Sequence, residues 1–109
     1  MPYDHSLAQR IRDELGELPE LEEKKMFGGV GFLVRGNMAC GVHGEELIVR
    51  VGRDGYEGAL GQPHTRPFDM VGRPMAGWIM VAPKGYEAES DLRNWVRQGV
   101  EFALSLPAK

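Results

Sequence analysis

The sequence predicts an α+β domain, with elements in the order α-β-β-β-α-β-β-α and one antiparallel sheet with helices packed on it. Three observations lead there. Apolar residues near both ends recur at helical spacing. Between Met26 and Val51, apolar runs and strict alternation are separated by short turn signals, as in a meander. Fifteen glycines and seven prolines in 109 residues punctuate these runs rather than gathering into a tract.

The first helix is expected over residues 5–15. Leu7, Ile11, Leu15 and Leu18 repeat at four, four and three. Ser6 and Gln9 fit a capping box, Asp4 is a rival N-cap, and Gly16 and Pro19 end the helix. Glu17, Glu20, Glu22 and Glu23 follow as an acidic connector. Three strands come next. Met26 to Val34 holds too many glycines for a helix. Gly36-Asn37 reads as a two-residue turn, after which Met38, Cys40 and Val42 face one way and Ala39, Gly41 and His43 the other. His43-Gly44-Glu45 turns the chain again, and Leu47, Val49 and Val51 share a face opposite Ile48 and Arg50. Asp54 caps a short helix to Leu60, with Tyr56, Ala59 and Leu60 inward. Residues 62–67 form a loop, 68–71 a short strand, 72–77 a turn, and 78–81 a strand that Pro83-Lys84-Gly85 ends. The last helix carries Leu92, Trp95, Val96, Val100 and Ala103 as its apolar stripe, with Gly99 inside it. Ser90 or a nearby acid caps it and Pro107 stops it. A five-stranded sheet is the expected result.

Composition narrows the classes. One domain is all that 109 residues allow, spanning residues 1–109. Thirteen basic against sixteen acidic residues give a net charge of −3, so the whole-molecule field does not favour polyanions. The charge is uneven: −5 over residues 1–23, +3 over 24–84 and −1 over 85–109. Cys40 is the only cysteine, which excludes an intramolecular disulfide and a cysteine-based zinc knuckle. No apolar run is long enough for a bilayer, and the N-terminus lacks signal-peptide regions. A cytoplasmic location without membrane contact is the expectation.

Most catalytic templates fail. Gly28-Gly29-Val30-Gly31 sits in a strand-like run and fits no phosphate-loop pattern, so the glycines serve a bulge or close packing. Cys40 and His43 point to opposite faces of one strand and cannot chelate one ion, leaving Cys40 as a core thiol. Neither Glu22-Glu23 nor Glu45-Glu46 has the convergence that acid–base work needs. No catalytic residue, cofactor or metal ligand is assigned. The basic residues of the sheet half are Lys24, Lys25, Arg35, Arg50, Arg53, Arg66, Arg73 and Lys84. Among them Lys24, Lys25, Arg66 and Arg73, with Trp78, are the candidate interaction surface for phosphate or an acidic partner. The competing structural role has Arg73 stacked on Trp78 or bonded to loop carbonyls.

Three stretches carry a family resemblance: Lys24 to Phe32; Gly36-Asn37-Met38 with Leu47 to Gly52; and Arg66-Pro67 through Gly72 to Trp78. Trp95-Val96 and Phe102 to Pro107 agree with them. In this order and spacing the chain resembles the TfoX N-terminal domain family, also called TfoX/Sxy. The resemblance implies an α+β domain with a central antiparallel sheet and a link to competence genes. Full-length members act with the cyclic-AMP receptor protein at certain promoters and carry a second, C-terminal helical domain, which a chain ending at Lys109 is expected to lack. The family supplies no agreed catalytic residues.

The leading expectation is therefore a non-enzymatic domain acting through protein contacts, with a transcription factor as partner. One alternative is direct nucleic-acid binding through Lys24, Lys25, Arg66 and Arg73, with steep salt dependence. Another is a small-ligand or enzymatic pocket beside Trp78. An open sheet edge and methionine-rich strands also lead to the expectation of a homodimer.

Overall fold

The computed structural model describes residues 3–26, 28–69 and 75–108. Helix α1 (His5–Leu15) buries Leu7, Ala8, Ile11 and Leu15, the predicted stripe. Its N-cap is Asp4, whose carboxylate accepts from the Leu7 amide at 3.1 Å, so Asp4 rather than Ser6 satisfies the first turn. Gly16 closes the helix by donating its N–H to the Arg12 carbonyl.

A strand then appears where an acidic connector was expected: β1 (Leu21–Met26) pairs antiparallel with β2 (Gly29–Val34). An edge strand needs apolar residues on one face at most, and β1 keeps only Leu21 packed against the core among its described side chains. Its neighbours alternate. Glu23 lies opposite Phe32 and ion-pairs with Arg12 of α1, while Lys24 lies opposite Gly31.

Strands β3 (Asn37–His43) and β4 (Glu46–Arg50) continue the meander. The β2–β3 turn is Arg35-Gly36, one residue earlier than read from sequence. Both residues have positive φ, 54° and 82°, as a type I′ hairpin requires. Asn37 instead opens β3. It is only 2 % exposed and donates from Nδ2 to the Pro107 carbonyl at 2.9 Å, fastening the chain beyond the last helix to this hairpin.

A bulge corrects the face assignment of β3. Phe32 pairs with Cys40 but Leu33 pairs with Met38, leaving Ala39 as an extra residue. Cys40 and Val42 join the main core, Ala39 packs with Val34 and Ala103, and Met38 turns to the far side of the sheet.

Helix α2 (Gly52–Leu60) starts two residues before Asp54 and has no side-chain cap. Ala59 is buried, with Tyr56 and Leu60 against the core. Thr65–Pro67, expected as loop, is strand β5, anchored by the Thr65 hydroxyl donating towards the carbonyls of Ala59, Leu60 and Gln62. Of the expected strand 68–71, Phe68 is buried outside any strand, and Met70 and Val71 lie outside the described residues. Strand β6 (Trp78–Val81) is as predicted; a single 3-10 turn (Pro83–Gly85) leads to α3 (Glu89–Ser105). Ser90 does not cap α3. Glu89 and Asp91 in its first turn instead oppose the positive end of the helix dipole.

Among the described residues the fold is thus α+β, with six strands in one antiparallel sheet, ordered β1-β2-β3-β4-β6-β5. Two of the six, β1 and β5, lie where the sequence predicts a connector and a loop. All three helices contribute to one core on the same sheet face, around Phe32, Leu47, Val49, Ile79 and Val81. Residues of alternate parity, Ile48 and Met80, point to the other face and pack with Phe68, Met38 and Trp78.

Candidate functional site

Strand order decides what the predicted surface can be. Lys24 and Lys25 lie on β1 and Arg66 on β5, so four strands separate them. Lys24 and Lys25 are exposed and alternate between the two faces of the edge. Arg66 is engaged by two carboxylates: Nε donates to Glu46 at 2.9 Å, a second nitrogen pairs with the same carboxylate, and Asp69 stands at 3.5 Å. These partners, Glu46 first, raise the Arg66 pKa. Arg73 lies outside the described residues. The structure therefore brings neither lysine together with Arg66 or Trp78. Both sheet edges also carry features that discourage strand pairing: β1 presents adjacent lysines, and β5 has three residues ending in Pro67.

Trp78 does sit beside a concavity. A cleft of about 630 Å³ opens where the ends of β4 and β6 meet α2 and α3, lined by Arg50, Gly52, Arg53, Trp78 and Phe102, with Asp54 on the same helix turn as Arg53. Its size falls within the usual range for small-ligand sites. Register builds it. Arg50 lies directly opposite Trp78 across the β4–β6 ladder. Beyond Arg50 the ladder ends, and the carbonyl of Gly77 accepts both the Val51 amide (2.8 Å) and the Gly52 amide (3.1 Å). This turns the chain into α2. Gly52 has φ 80°, and the Phe102 ring occupies the space a Cβ would need. Glycine here is required twice, by the backbone angle and by the ring that forms the cleft wall.

The cation stacked on Trp78 is Arg50. Its guanidinium carbon stands 4.9 Å from the Trp78 ring centre and 5.3 Å from that of Phe102, so two aromatic rings from different elements attract one charge. Burial lowers its pKa. No hydrogen bond to its nitrogens occurs among the described residues. Sequence reading placed Arg50 on a strand face opposite Leu47 and Val49, and that placement holds. Its role stayed hidden because nothing local tells which strand lies opposite β4.

Two further reactive groups, Cys40 and Tyr86, are committed to structure. Cys40 is fully buried, and desolvation pushes its thiol up to about 12. The Tyr86 hydroxyl donates to the Glu45 carbonyl at 2.6 Å; burial, with Asp4 and Glu45 nearby, raises it to about 12. Among the described residues, no group of three or more His, Cys, Asp or Glu side chains is placed to hold a metal ion, and no helix is long and apolar enough to cross a membrane.

No curated protein and no solved structure matches the chain significantly. The sequence profile of the TfoX N-terminal domain family does, over residues 13–103. That interval takes in every strand of the sheet and the cleft from Arg50 to Phe102, and on this match the chain belongs to the TfoX N-terminal domain family.

Proposed function

We propose that this TfoX N-terminal-like domain is a non-enzymatic regulator that acts through protein contacts, with a transcription factor as its partner and competence genes as the natural setting. Family membership over residues 13–103 is the observation that carries this reading. The geometry supports one surface in particular. Trp78 is half-buried and Met75, three residues earlier, is 38 % exposed. The two are joined by a tight turn in which the Trp78 amide donates to the Met75 carbonyl at 3.1 Å. Arg53 is exposed at the same end of the sheet. Tryptophan, methionine and arginine are the types enriched at protein interfaces, and each offers large contact area per residue.

A two-hybrid screen against the transcription factors of the source organism, followed by titration of each purified hit, tests the reading. The wild-type chain binds at least one factor, and Trp78→Ala weakens that complex about tenfold or more, as truncation of an interface anchor does. Failure to bind any factor, together with reproducible turnover of a substrate, would overturn it.

A further inference from the structure

Most of the described arginines are engaged by oxygen. Arg10 donates to the carbonyls of Tyr86 and Glu87, Arg12 pairs with Glu23, Arg35 with Glu20, Arg66 with Glu46 and Asp69, and Arg93 with Glu14. Each meets oxygen. Arg50, Arg53 and Arg97 meet none among the described residues; Arg97 is exposed on α3, whereas Arg50 and Arg53 line the same cleft. Arg53 is exposed and solvated, as a surface arginine usually is. Arg50 is different: it is partly buried and lies over the rings of both Trp78 and Phe102.

Aromatic faces attract the charge of a guanidinium but accept little at its in-plane edge, where five N–H donors sit. The two rings therefore hold the Arg50 charge at the cleft, while its N–H donors have no acceptor among the described residues. Holding the side chain against two rings in advance removes part of the rotamer entropy a flexible side chain loses on binding. A guanidinium that lines a concavity with its donors unpaired among the described residues matches two oxygens of one planar or tetrahedral anion. Charge agrees with shape. Two guanidiniums outweigh the single carboxylate of Asp54 at the cleft, in a chain whose net charge is −3. A volume of about 630 Å³ admits an organic molecule rather than a bare ion.

We propose that the cleft between β4, β6, α2 and α3 binds a small organic oxyanion, a carboxylate or phosphate ester, in the fork of Arg50 with Arg53 at the rim. The site shares Trp78 and Arg53 with the proposed contact surface but does not rest on that reading, since a ligand here requires no partner.

The test uses the full chain, benzoate and phenyl phosphate as probes, and nitrogen–proton correlation spectra at constant ionic strength set with sodium chloride. At least one probe shifts the Arg50 Nε–H and the Gly52 and Gly77 amides along a saturable curve, and the probe that saturates tells carboxylate from phosphate. Arg50→Lys keeps the charge, loses the fork, and weakens binding about tenfold. Arg53→Gln weakens it several-fold. Overturning results are linear shifts for both probes up to about 50 mM, a range that still detects millimolar affinity, or an Arg50→Lys protein that binds as tightly as the wild type. Should Arg50→Lys fail to fold by circular dichroism, the wild-type titration and exposed Arg53→Gln still decide, and an unaltered affinity in Arg53→Gln then counts against the site.

Discussion

Gly99→Ala is expected to destabilise the protein even though it improves the helix. Alanine is the better helix former by about 1 kcal/mol, and Gly99 lies well inside α3. Yet a Cβ at Gly99 would press into the backbone of Ala39 on β3, 3.0 Å from its carbonyl carbon and closer still to its oxygen. Backbone cannot rotate away as a side chain can. To restore ordinary contact, α3 has to lift by about 1 Å, and a gap of that size forfeits a quarter to a half of each affected dispersion contact. Leu92, Trp95, Val96 and Ala103 are buried on this helix, and all lose contact together. That places the packing cost near the top of the usual overpacking range, about 3 kcal/mol. Set against the propensity gain, the net loss is about 2 kcal/mol, or a fall in melting temperature of about 8 °C for a domain of this size. Gly58→Ala is the control. Gly58 is an exposed α2 residue with nothing within 4 Å of the added Cβ, and the same change there is expected to raise the melting temperature by about 4 °C. Calorimetry on the two variants gives opposite signs. A Gly99→Ala protein as stable as the wild type would refute the close approach of α3 to β3.

Other outcomes follow from the committed side chains. Cys40 resists a thiol reagent at pH 8 in the folded protein and reacts once guanidinium unfolds it; rapid labelling under native conditions would contradict its burial. Tyr86→Phe removes the bond to the Glu45 carbonyl and costs about 1 kcal/mol by denaturant titration, and ultraviolet titration places the Tyr86 phenol near pH 12 rather than 10. The Arg12 hydrogen bond lowers the Glu23 pKa, so this pair stabilises the fold above the usual carboxylate range and loses its effect as pH falls through the depressed value. Both side chains are more than a third exposed, so Glu23→Gln costs under about 1 kcal/mol at pH 7. Melting curves of Glu23→Gln and wild type converge in acid and in high salt; a difference that grows in acid would reverse the assigned sign.

Elements that bury a stripe were legible, and elements that bury almost nothing were not. Helices α1 and α3 and strand β6 declare themselves because apolar spacing matches their geometry. Strand β1 reads Leu-Glu-Glu-Lys-Lys-Met and looks like a solvated connector. Its strand character comes from hydrogen bonding to β2, a long-range cause that leaves no periodic trace in an edge strand. Strand β5, three residues long, hides for the same reason. The bulge at Ala39 defeats alternation in a different way. One extra residue shifts the phase, so Met38 leaves the face that Cys40 and Val42 share, and no residue type announces it.

The cleft depends on a topological fact of this kind. In sequence β5 precedes β6, yet β6 takes the place beside β4 and β5 is left at the edge. Had the strands been laid down in sequence order, β4 would face Thr65–Pro67, and Arg50 would lie away from Trp78. The inversion sets Trp78 opposite Arg50 and brings Gly77 over the Val51 and Gly52 amides, so the start of α2 is fixed by the same turn that ends β6. Helix α3 then closes the second side with Phe102, admitted by the missing side chain of Gly52. The sequence reading pairs Trp78 with Arg73, which lies outside the described residues; strand order gives Trp78 a second arginine to meet, Arg50. Arg50, at the end of a central strand and in contact with two rings, brings its charge to the cleft from a position that the sheet fixes.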